Sequence, residues 1–222
     1  MKKNICFYAI VTIGILIFSF CIMSKSGSAE KADIKALFEQ KHARWKEFMN
    51  SPQSQMLSDS TGITTPYFKE IVKLGVPALP YIMEKMKQDP NLKVAVTEIT
   101  KKWFTEDERK NNSIENLYIS WWNEGYKQIP QQFEKLYGEW NNLKKQNKGK
   151  EAKEKFQEIE YLGIPALPSI VDKIEKGDNN LIPLVSYLTN NEIKENATAA
   201  ECVAWWKANK DKWVLHQGPK KP

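Results

Sequence analysis

Cysteine and histidine are scarce in this sequence, and their scarcity excludes several kinds of site. The 222 residues contain three cysteines and two histidines. Cys6 and Cys21 lie in an apolar N-terminal stretch, which leaves Cys202 without a partner for an internal disulfide. His42 and His216 are far apart in the sequence, and neither stands in an HExxH or CxxC type of spacing. We therefore expect no disulfide, no metal site and no cofactor.

The motifs of common enzymes are also missing. No GxSxG segment precedes a predicted helix, and no glycine-rich loop is present that would supply amide donors to a phosphate. Cys202 lies between Ala199 and Val203 on an apolar helical face, which is typical of a core residue rather than a nucleophile. His42 lies near Trp45 in a predicted helix, where a partly buried structural role is favoured. We expect no catalytic residue.

A concentrated charge of one sign is absent as well. The net charge of the whole chain is +6, and the three lysines of residues 1–29 reduce it to about +3 in the remainder. Basic and acidic residues are mixed along that remainder, and the lysine-rich runs at 144–155 and 207–212 are typical of solvated helix ends and loops. Nucleic-acid binding needs a concentrated basic face, so we expect no nucleic-acid partner.

The N-terminus has the features of an export signal. The chain begins Met-Lys-Lys, continues without a charge from Ile5 to Met23, and then turns polar and small before a predicted cleavage point after Ala29. Residues 1–29 are therefore predicted to be a cleaved signal peptide or an uncleaved N-terminal membrane anchor, in which only residues 5–23 would contact the membrane. Lipid attachment at Cys21 is a third option, disfavoured because the preceding residues Phe18-Ser19-Phe20 place a bulky ring where a lipoprotein signal has a small residue. All three place the rest of the chain outside the cytoplasm.

A nine-residue motif occurs twice in what remains. LGVPALPYI begins at Leu74, and LGIPALPSI begins at Leu162, about 88 residues later. Downstream of each copy come an apolar segment ending in Leu-Thr or Ile-Thr and a Trp-Trp pair, and upstream Phe68 corresponds to Phe156 and Trp45 to Trp140. Such self-similarity predicts a repeat architecture. We place repeat one at about 30–128 and repeat two at about 129–215 of a helical domain spanning 30–222, with 216–222 as a flexible tail.

The periodicity of apolar residues predicts helices throughout. After the first motif they recur at i, i+3, i+4 and i+7, and the second copy repeats this spacing. These residues are Leu79, Ile82, Met83, Met86, Leu167, Ile170, Val171 and Ile174. No stretch alternates as a strand would, so we predict an all-α fold. The polar connection 51–65 has no equivalent in the second copy and is either a flexible loop or a functional insertion, with the loop favoured.

Each copy of the motif is predicted to be a tight corner between helices. The glycine stands where a helix ends, a position that commonly needs the left-handed helical conformation, which glycine adopts at little cost. The first proline then starts the next helix without leaving an amide unsatisfied. The leucine opens the buried face, and the second proline still lies in the first turn, where a missing donor costs little. The corner residues are Gly75, Pro77, Leu79, Pro80, Gly163, Pro165, Leu167 and Pro168.

These corners, together with a later Trp-Trp helix, resemble the HEAT-like repeats of bacterial extracytoplasmic proteins. The resemblance covers residues 66–125 and 154–213 and includes the closing segment Trp205-Trp206-Lys207-Ala208-Asn209. The first copy departs from that closing pattern, because Asn123-Glu124-Gly125 follows its tryptophan pair. The resemblance implies two tandem repeats packed as one armadillo-like, α-solenoid-like domain whose usual role is to bind other proteins. It implies no catalytic residue.

The tryptophan pairs are the candidate functional residues. Helical stripes assign Trp122 and Trp206 to the core, which turns Trp121 and Trp205 about 100° away. There they could border a groove or pack against the neighbouring repeat, with packing favoured. We therefore select Trp121, Trp205 and Asn209 as candidate binding residues. One hypothesis is an exported scaffold that binds a protein partner. The other is a carbohydrate- or cell-wall-binding module in which the tryptophans stack on sugars.

Overall fold

The computed structural model describes residues 33–55 and 65–215, and every regular element in those two ranges is a helix. The all-α class is thereby confirmed for this part of the chain. The α-helices are α1 (33–49), α2 (Pro52–Gln55), α3 (Pro66–Val72), α4 (Leu79–Met86), α5 (Lys93–Thr100), α6 (Glu106–Arg109), α7 (Ile114–Asn123), α8 (Ile129–Lys145), α9 (Gly149–Glu160), α10 (Leu167–Glu175), α11 (Ile182–Leu188) and α12 (Ala199–Trp213).

Several sequence-based predictions concern residues outside those ranges. The leader at 1–29 with Cys6 and Cys21, and the tail at 216–222 with His216, are not among the described residues. The polar connection at 51–65 is described only in part. Its first residues form the short helix α2, in which the Ser54 hydroxyl donates to the Met49 carbonyl oxygen at 2.6 Å. No helix within 33–55 or 65–215 is both long and apolar enough to cross a bilayer.

Apart from the short helices α2 and α6 and the 3-10 turn Gly125–Gln128, which occur only in the first half, the described elements occur in the same order before and after residue 128. A long helix, α1 or α8, comes first and is followed by α3 or α9, then by a 3-10 turn and α4 or α10, and then by a second 3-10 turn and α5 or α11. The 3-10 turns are Val76–Ala78, Pro90–Leu92, Ile164–Ala166 and Asn179–Leu181. The helices α7 and α12 carry the tryptophan pairs. The last helix, α12, packs against α10 and also contacts the first 3-10 turn.

Aromatic contacts anchor each long helix in the same way. On α1, Phe38 and His42 have ring centroids 5.8 Å apart, and Trp45 packs edge-on against Phe68 of α3 at 5.1 Å. In the second half, Phe133 and Tyr137 of α8 lie 5.6 Å apart, while Trp140 contacts Phe156 of α9 at 5.2 Å. Aromatic pairs at such distances stabilise packing beyond their buried area. The two halves therefore share a core pattern as well as an order of elements.

A polar bond also recurs at equivalent positions, buried in the first half and partly buried in the second. His42 Nε2 lies 3.1 Å from an oxygen of the buried Asp89 carboxylate, next to the second 3-10 turn. In the second half the Tyr137 hydroxyl donates to the Asp178 carboxylate at 2.8 Å. Lys46 adds an ion pair to Asp89 at 3.2 Å. His42 thus has the structural, buried role predicted for it, because its ring joins α1 to the connection between α4 and α5.

The two copies of the motif form corners, as predicted, but their backbone differs in detail from the prediction. Gly75 has φ 65° and ψ −158°, and Gly163 has φ 73° and ψ −163°. These are mirror images of extended backbone rather than left-handed helical angles, and this region is open almost only to glycine. The first proline of each copy lies in a 3-10 turn, and the α-helix begins two residues later, at Leu79 or Leu167.

The residues that follow each corner lie as the periodicity predicts. Leu79 and Leu167 are fully buried, and Pro80 and Pro168 fall in the first turns of α4 and α10. Side chains also cap the starts of two helices. Thr65 caps α3 through a hydrogen bond from the Phe68 amide, and Thr198 and Glu201 form both bonds of a capping box on α12.

Candidate binding cleft

The second corner is covered by a segment from the first half of the chain. The backbone of residues 100–102 lies directly against Gly163, so that a Cβ atom at this position would overlap the Thr100 carbonyl oxygen and approach the Lys102 amide nitrogen to 2.8 Å. The Trp103 amide then donates to the Tyr161 carbonyl oxygen at 3.1 Å. Gly163 is therefore required for the close approach of two backbones as well as for its φ angle.

The first corner has the same sequence pattern, but among the described residues its face is open. Within residues 33–55 and 65–215, the only heavy atom that a Cβ on Gly75 would meet within 4 Å, outside its immediate neighbours, is in the ring of Pro77, at 3.9 Å. The open face borders a cleft of about 430 Å³, which we call the first-corner cleft. Its lining residues are Val72, Lys73, Leu74, Gly75, Val76, Pro77, Glu98, Ile99, Asn190, Glu192, Lys212 and Trp213. A volume of this size falls in the range of ligand pockets, about 300–1,000 Å³.

A smaller cleft lies beside the second corner. It has a volume of about 200 Å³ and is lined by Tyr126, Lys127, Pro130, Ile164, Pro165, Pro168, Trp213, Val214 and Leu215. Trp213 lines both clefts, so the last turn of α12 brings one indole to both corners. The Trp213 Nε1 atom is buried and has no hydrogen-bond partner among the described residues.

Charges of both signs surround the apolar part of the first-corner cleft. Lys73 pairs with Glu70 at 2.6 Å, and hydrogen bonds from Lys73 and then Lys41 lower the pKa of the Glu70 carboxyl to about 2. Glu98 pairs with Lys101 at 3.3 Å. The ammonium of Lys212 donates to the Asn209 side chain at 3.0 Å. The cleft therefore has no strong preference for one sign of charge, which does not favour a nucleic-acid partner.

The inner and outer members of the first tryptophan pair were assigned the wrong way round. Trp121, selected as a residue that could border a groove, is only 4% exposed and packs edge-on against Tyr118 at 6.3 Å. Trp122, predicted to be the core member, is partly exposed. The reason is tertiary: α7 packs against α4 and α5, and Gly125 after its end lies against the Trp121 ring. Trp121 is therefore not available to stack on a sugar.

The second pair and Asn209 take part mainly in contacts within the chain. Trp205 and Trp206 are both partly buried, and the Trp205 ring lies 6.2 Å from that of Trp213. The Asn209 amide donates to the Trp205 carbonyl oxygen at 2.8 Å, one turn earlier in α12. None of the three candidates Trp121, Trp205 and Asn209 lines either corner cleft. The structure does not bring them together as one site.

The residues that line the first-corner cleft were missed because they come from four separate segments. They belong to the end of α3 with the first corner, the end of α5, the turn after α11 and the end of α12. Residue types within each segment are ordinary, and no local pattern distinguishes them. The signal available in the sequence was the repeated motif itself, because two corners of similar sequence in one chain can be covered by different neighbouring segments.

Groups that could support catalysis or metal binding are not assembled in the described part of the chain. Within residues 33–55 and 65–215 no cluster of three His, Cys, Asp or Glu side chains is placed to hold a metal ion. Cys202 is fully buried, as predicted for a core residue, and its burial raises the pKa of the thiol to about 11. A thiol with that pKa is almost entirely protonated at neutral pH and is a poor nucleophile.

The chain has no match among protein-family models, curated proteins or solved structures.

Proposed function

We propose that the protein is a non-enzymatic scaffold of two tandem HEAT-like repeats, packed as one α-solenoid-like domain, that binds a protein partner outside the cytoplasm. The repeat part of the proposal is supported by the matching order of helices and by the two sets of aromatic contacts at Trp45 and Trp140. The location outside the cytoplasm rests on the export features of residues 1–29 in the sequence.

One observation carries the binding role. The first-corner cleft is the open counterpart of a surface that the second corner uses to hold a segment of polypeptide. Its apolar residues, with Trp213 beside Leu74 and Ile99, are flanked by charged side chains. A central apolar patch with a polar rim is the usual anatomy of a protein interface. The absence of an assembled catalytic group among the described residues gives this cleft no chemistry beyond binding.

Crosslinking in intact cells tests the proposal. A lysine-reactive crosslinker is applied to cells that express the full chain, and mass spectrometry identifies both the partner and the lysines that are linked to it. We expect a recurrent protein partner linked through Lys73 and Lys212, which line the first-corner cleft, in preference to Lys150 and Lys153. The last two are exposed on α9 and line neither cleft, so they serve as matched controls.

Two outcomes would contradict the proposal. If no protein is linked recurrently, or if the links are spread evenly over the four lysines, the cleft is not a protein-binding surface. Retention on purified cell wall that is lost on Trp205→Ala would instead favour the carbohydrate-binding hypothesis, which loses the support of Trp121 because that ring is buried.

A further inference from the structure

The second corner shows how this motif holds a polypeptide. The segment Thr100–Trp103 leaves α5 through Lys101, whose φ is 53°, and crosses the bare face of Gly163. Two hydrogen bonds hold it there, one from the Trp103 amide to the Tyr161 carbonyl and one from the Tyr118 hydroxyl to the Lys102 carbonyl, at 3.1 and 2.7 Å. The contact depends on a glycine face and on a free carbonyl at the end of the preceding helix.

The first corner has both of these features, and no segment of the described part of the chain is bound to them. Lys73 ends α3 as Tyr161 ends α9, with φ and ψ of −61° and −18° against −66° and −16°. No hydrogen bond to the Lys73 carbonyl is made within residues 33–55 and 65–215. Gly75 faces the open cleft where Gly163 faces a backbone. An acceptor and a bare glycine face in equivalent positions form the same recognition element.

We propose that the first-corner cleft binds an extended segment of a partner protein, three or four residues long, across the face of Gly75. This inference rests on the proposed function and specifies its partner. A backbone amide of the segment donates to the Lys73 carbonyl, as Trp103 donates to Tyr161. An adjacent apolar side chain packs against Ile99 and Trp213. Three extended residues span about 10 Å, a length suited to a cleft of about 430 Å³.

The occupant is a partner protein rather than a second copy of this chain presenting the same segment. In each copy Thr100–Trp103 already lies on Gly163, and the Trp103 amide is already donated to Tyr161. Removing the segment would uncover the second corner and leave that carbonyl unsatisfied in a partly buried place, which costs about 1–3 kcal/mol for a buried group. The segment is thus available as a template for the ligand but not as the ligand itself.

A peptide that copies the template tests the proposal directly. The probe is a fluorescein-labelled synthetic peptide with the sequence of residues 98–106, EITKKWFTE, titrated with the purified full chain and followed by fluorescence anisotropy. We expect saturable binding. Glu192→Trp places a large side chain in the lining of the cleft and should weaken binding at least tenfold. The control Glu195→Trp lies in the same exposed turn but outside the lining and should change it less than twofold.

A change in the peptide avoids any question of whether a protein variant folds. Methylation of the backbone nitrogen at the position of Trp103 removes the donor to Lys73, and we expect binding to weaken about fivefold or more, the value of one typical hydrogen bond. The absence of saturable binding, an unchanged affinity after methylation, or equal losses in the two Trp variants would each overturn the proposal. Binding seen only after residues 216–222 are removed would also overturn it, because the chain's own tail would then be the occupant.

These results separate this inference from the proposed function. Partner crosslinks at Lys73 and Lys212 without binding of the peptide would leave the scaffold role in place and remove the extended-segment mode. Binding of the peptide without any recurrent partner in cells would do the reverse.

Discussion

Lys102 is a buried charge in the segment that covers the second corner. The residue is 6% exposed, its ammonium donates to the Trp103 carbonyl at 2.6 Å, and the same ammonium lies 4.5 Å from the centre of the Phe104 ring. No carboxylate lies within ion-pair distance of it in the described part of the chain. Burial lowers the pKa of this ammonium from its usual value, with a smaller opposing effect from Glu108. The segment that covers the second corner therefore contains a charge that weakens it.

We predict that Lys102→Met stabilises the protein at neutral pH. The unfolded chain keeps the Lys102 ammonium hydrated, whereas the folded chain buries it, which disfavours the charged form. Replacing a buried charge by an apolar side chain of similar length is often stabilising, and we expect a gain of roughly 1 kcal/mol or more in the free energy of unfolding. Urea titration at pH 7, followed by tryptophan fluorescence, measures it. A lower free energy of unfolding in the variant would contradict the prediction.

The same variant predicts a pH dependence. Because the pKa of Lys102 is lower in the folded state, the folded chain releases this proton first, and the stability of the wild type rises as the pH climbs from the lowered pKa towards 10.5. The advantage of Lys102→Met should therefore shrink as the pH rises from the lowered pKa towards 10.5. Tyr118, whose pKa burial raises to about 12, acts in the opposite direction only above pH 10. An advantage that does not change over this range would contradict the assignment.

At the scale of elements, each long helix is tied to the connection after α4 or α10 by one aromatic residue and one aspartate. In the first half these are His42 and Asp89, and in the second they are Tyr137 and Asp178. The two ring types are interchangeable in principle, because either can donate a hydrogen bond to a carboxylate from the same helical position. What the position requires is an aromatic side chain that ends in a donor.

We therefore predict different costs for two substitutions at one position. His42→Phe keeps an aromatic ring but leaves the buried Asp89 without this partner, which should lower the free energy of unfolding by about 1–3 kcal/mol. His42→Tyr copies the second half and should cost at least about 1 kcal/mol less, since its hydroxyl restores the bond. Thermal or urea unfolding of the two variants provides the comparison. Equal losses would mean that the hydrogen bond to Asp89 is not what stabilises this connection.

At the scale of the whole molecule, the halves meet where residues 100–103 cover the second corner. This contact joins the end of α5 to the end of α9 through main-chain atoms, including the bond from Trp103 to Tyr161. The first corner contacts α12 through its 3-10 turn and, together with Asn190 and Glu192, borders the first-corner cleft. The two corners thus differ in how they are covered: main-chain atoms of residues 100–102 lie on Gly163, whereas among the described residues Gly75 borders a cleft.

We predict that alanine is tolerated less well at the second corner than at the first. Both Gly75→Ala and Gly163→Ala force a side chain into a backbone conformation that costs about 1–3 kcal/mol. Only at Gly163 would the new methyl group also overlap the Thr100 carbonyl and push the halves apart. The loss in the free energy of unfolding should therefore be clearly larger for Gly163→Ala. Losses of equal size, measured by urea unfolding, would show that residues 100–103 do not hold the second corner as described.

Much of the helical architecture was predictable because it depends on local chemistry. The apolar spacing from Leu79 to Met86 identifies α4, the pairs Thr65-Pro66 and Thr198-Glu201 identify helix starts, and Gly75 identifies a corner. Such signals lie within one or two helical turns and act through backbone geometry and the apolar face of a single helix. The capping box of Thr105 and Glu108, which starts the short helix α6, is a similar local signal. Apolar periodicity does not reveal this helix, because none of its residues is buried.

The candidate site was predicted poorly because faces are assigned by packing between helices. The stripe on α7 placed Trp122 inside and Trp121 outside, yet adjacent residues on a helix differ by about 100°, and either can be the inner one. The position of α7 against α4 and α5, together with Gly125, decides in favour of Trp121. Asn209 was selected for its place after a tryptophan pair, but its amide is bound within α12.

The helical character of the described chain and the corners at its two similar motifs follow from the sequence alone. Glycine backbone freedom, proline geometry and apolar spacing act over only a few residues. That Gly163 is covered while Gly75 borders a cleft follows only from the tertiary structure. That difference arises between segments far apart in the chain, Thr100–Trp103 on one corner and Asn190, Glu192 and Trp213 beside the other. A motif specifies its own backbone, but the segments that pack against it are set by the rest of the fold.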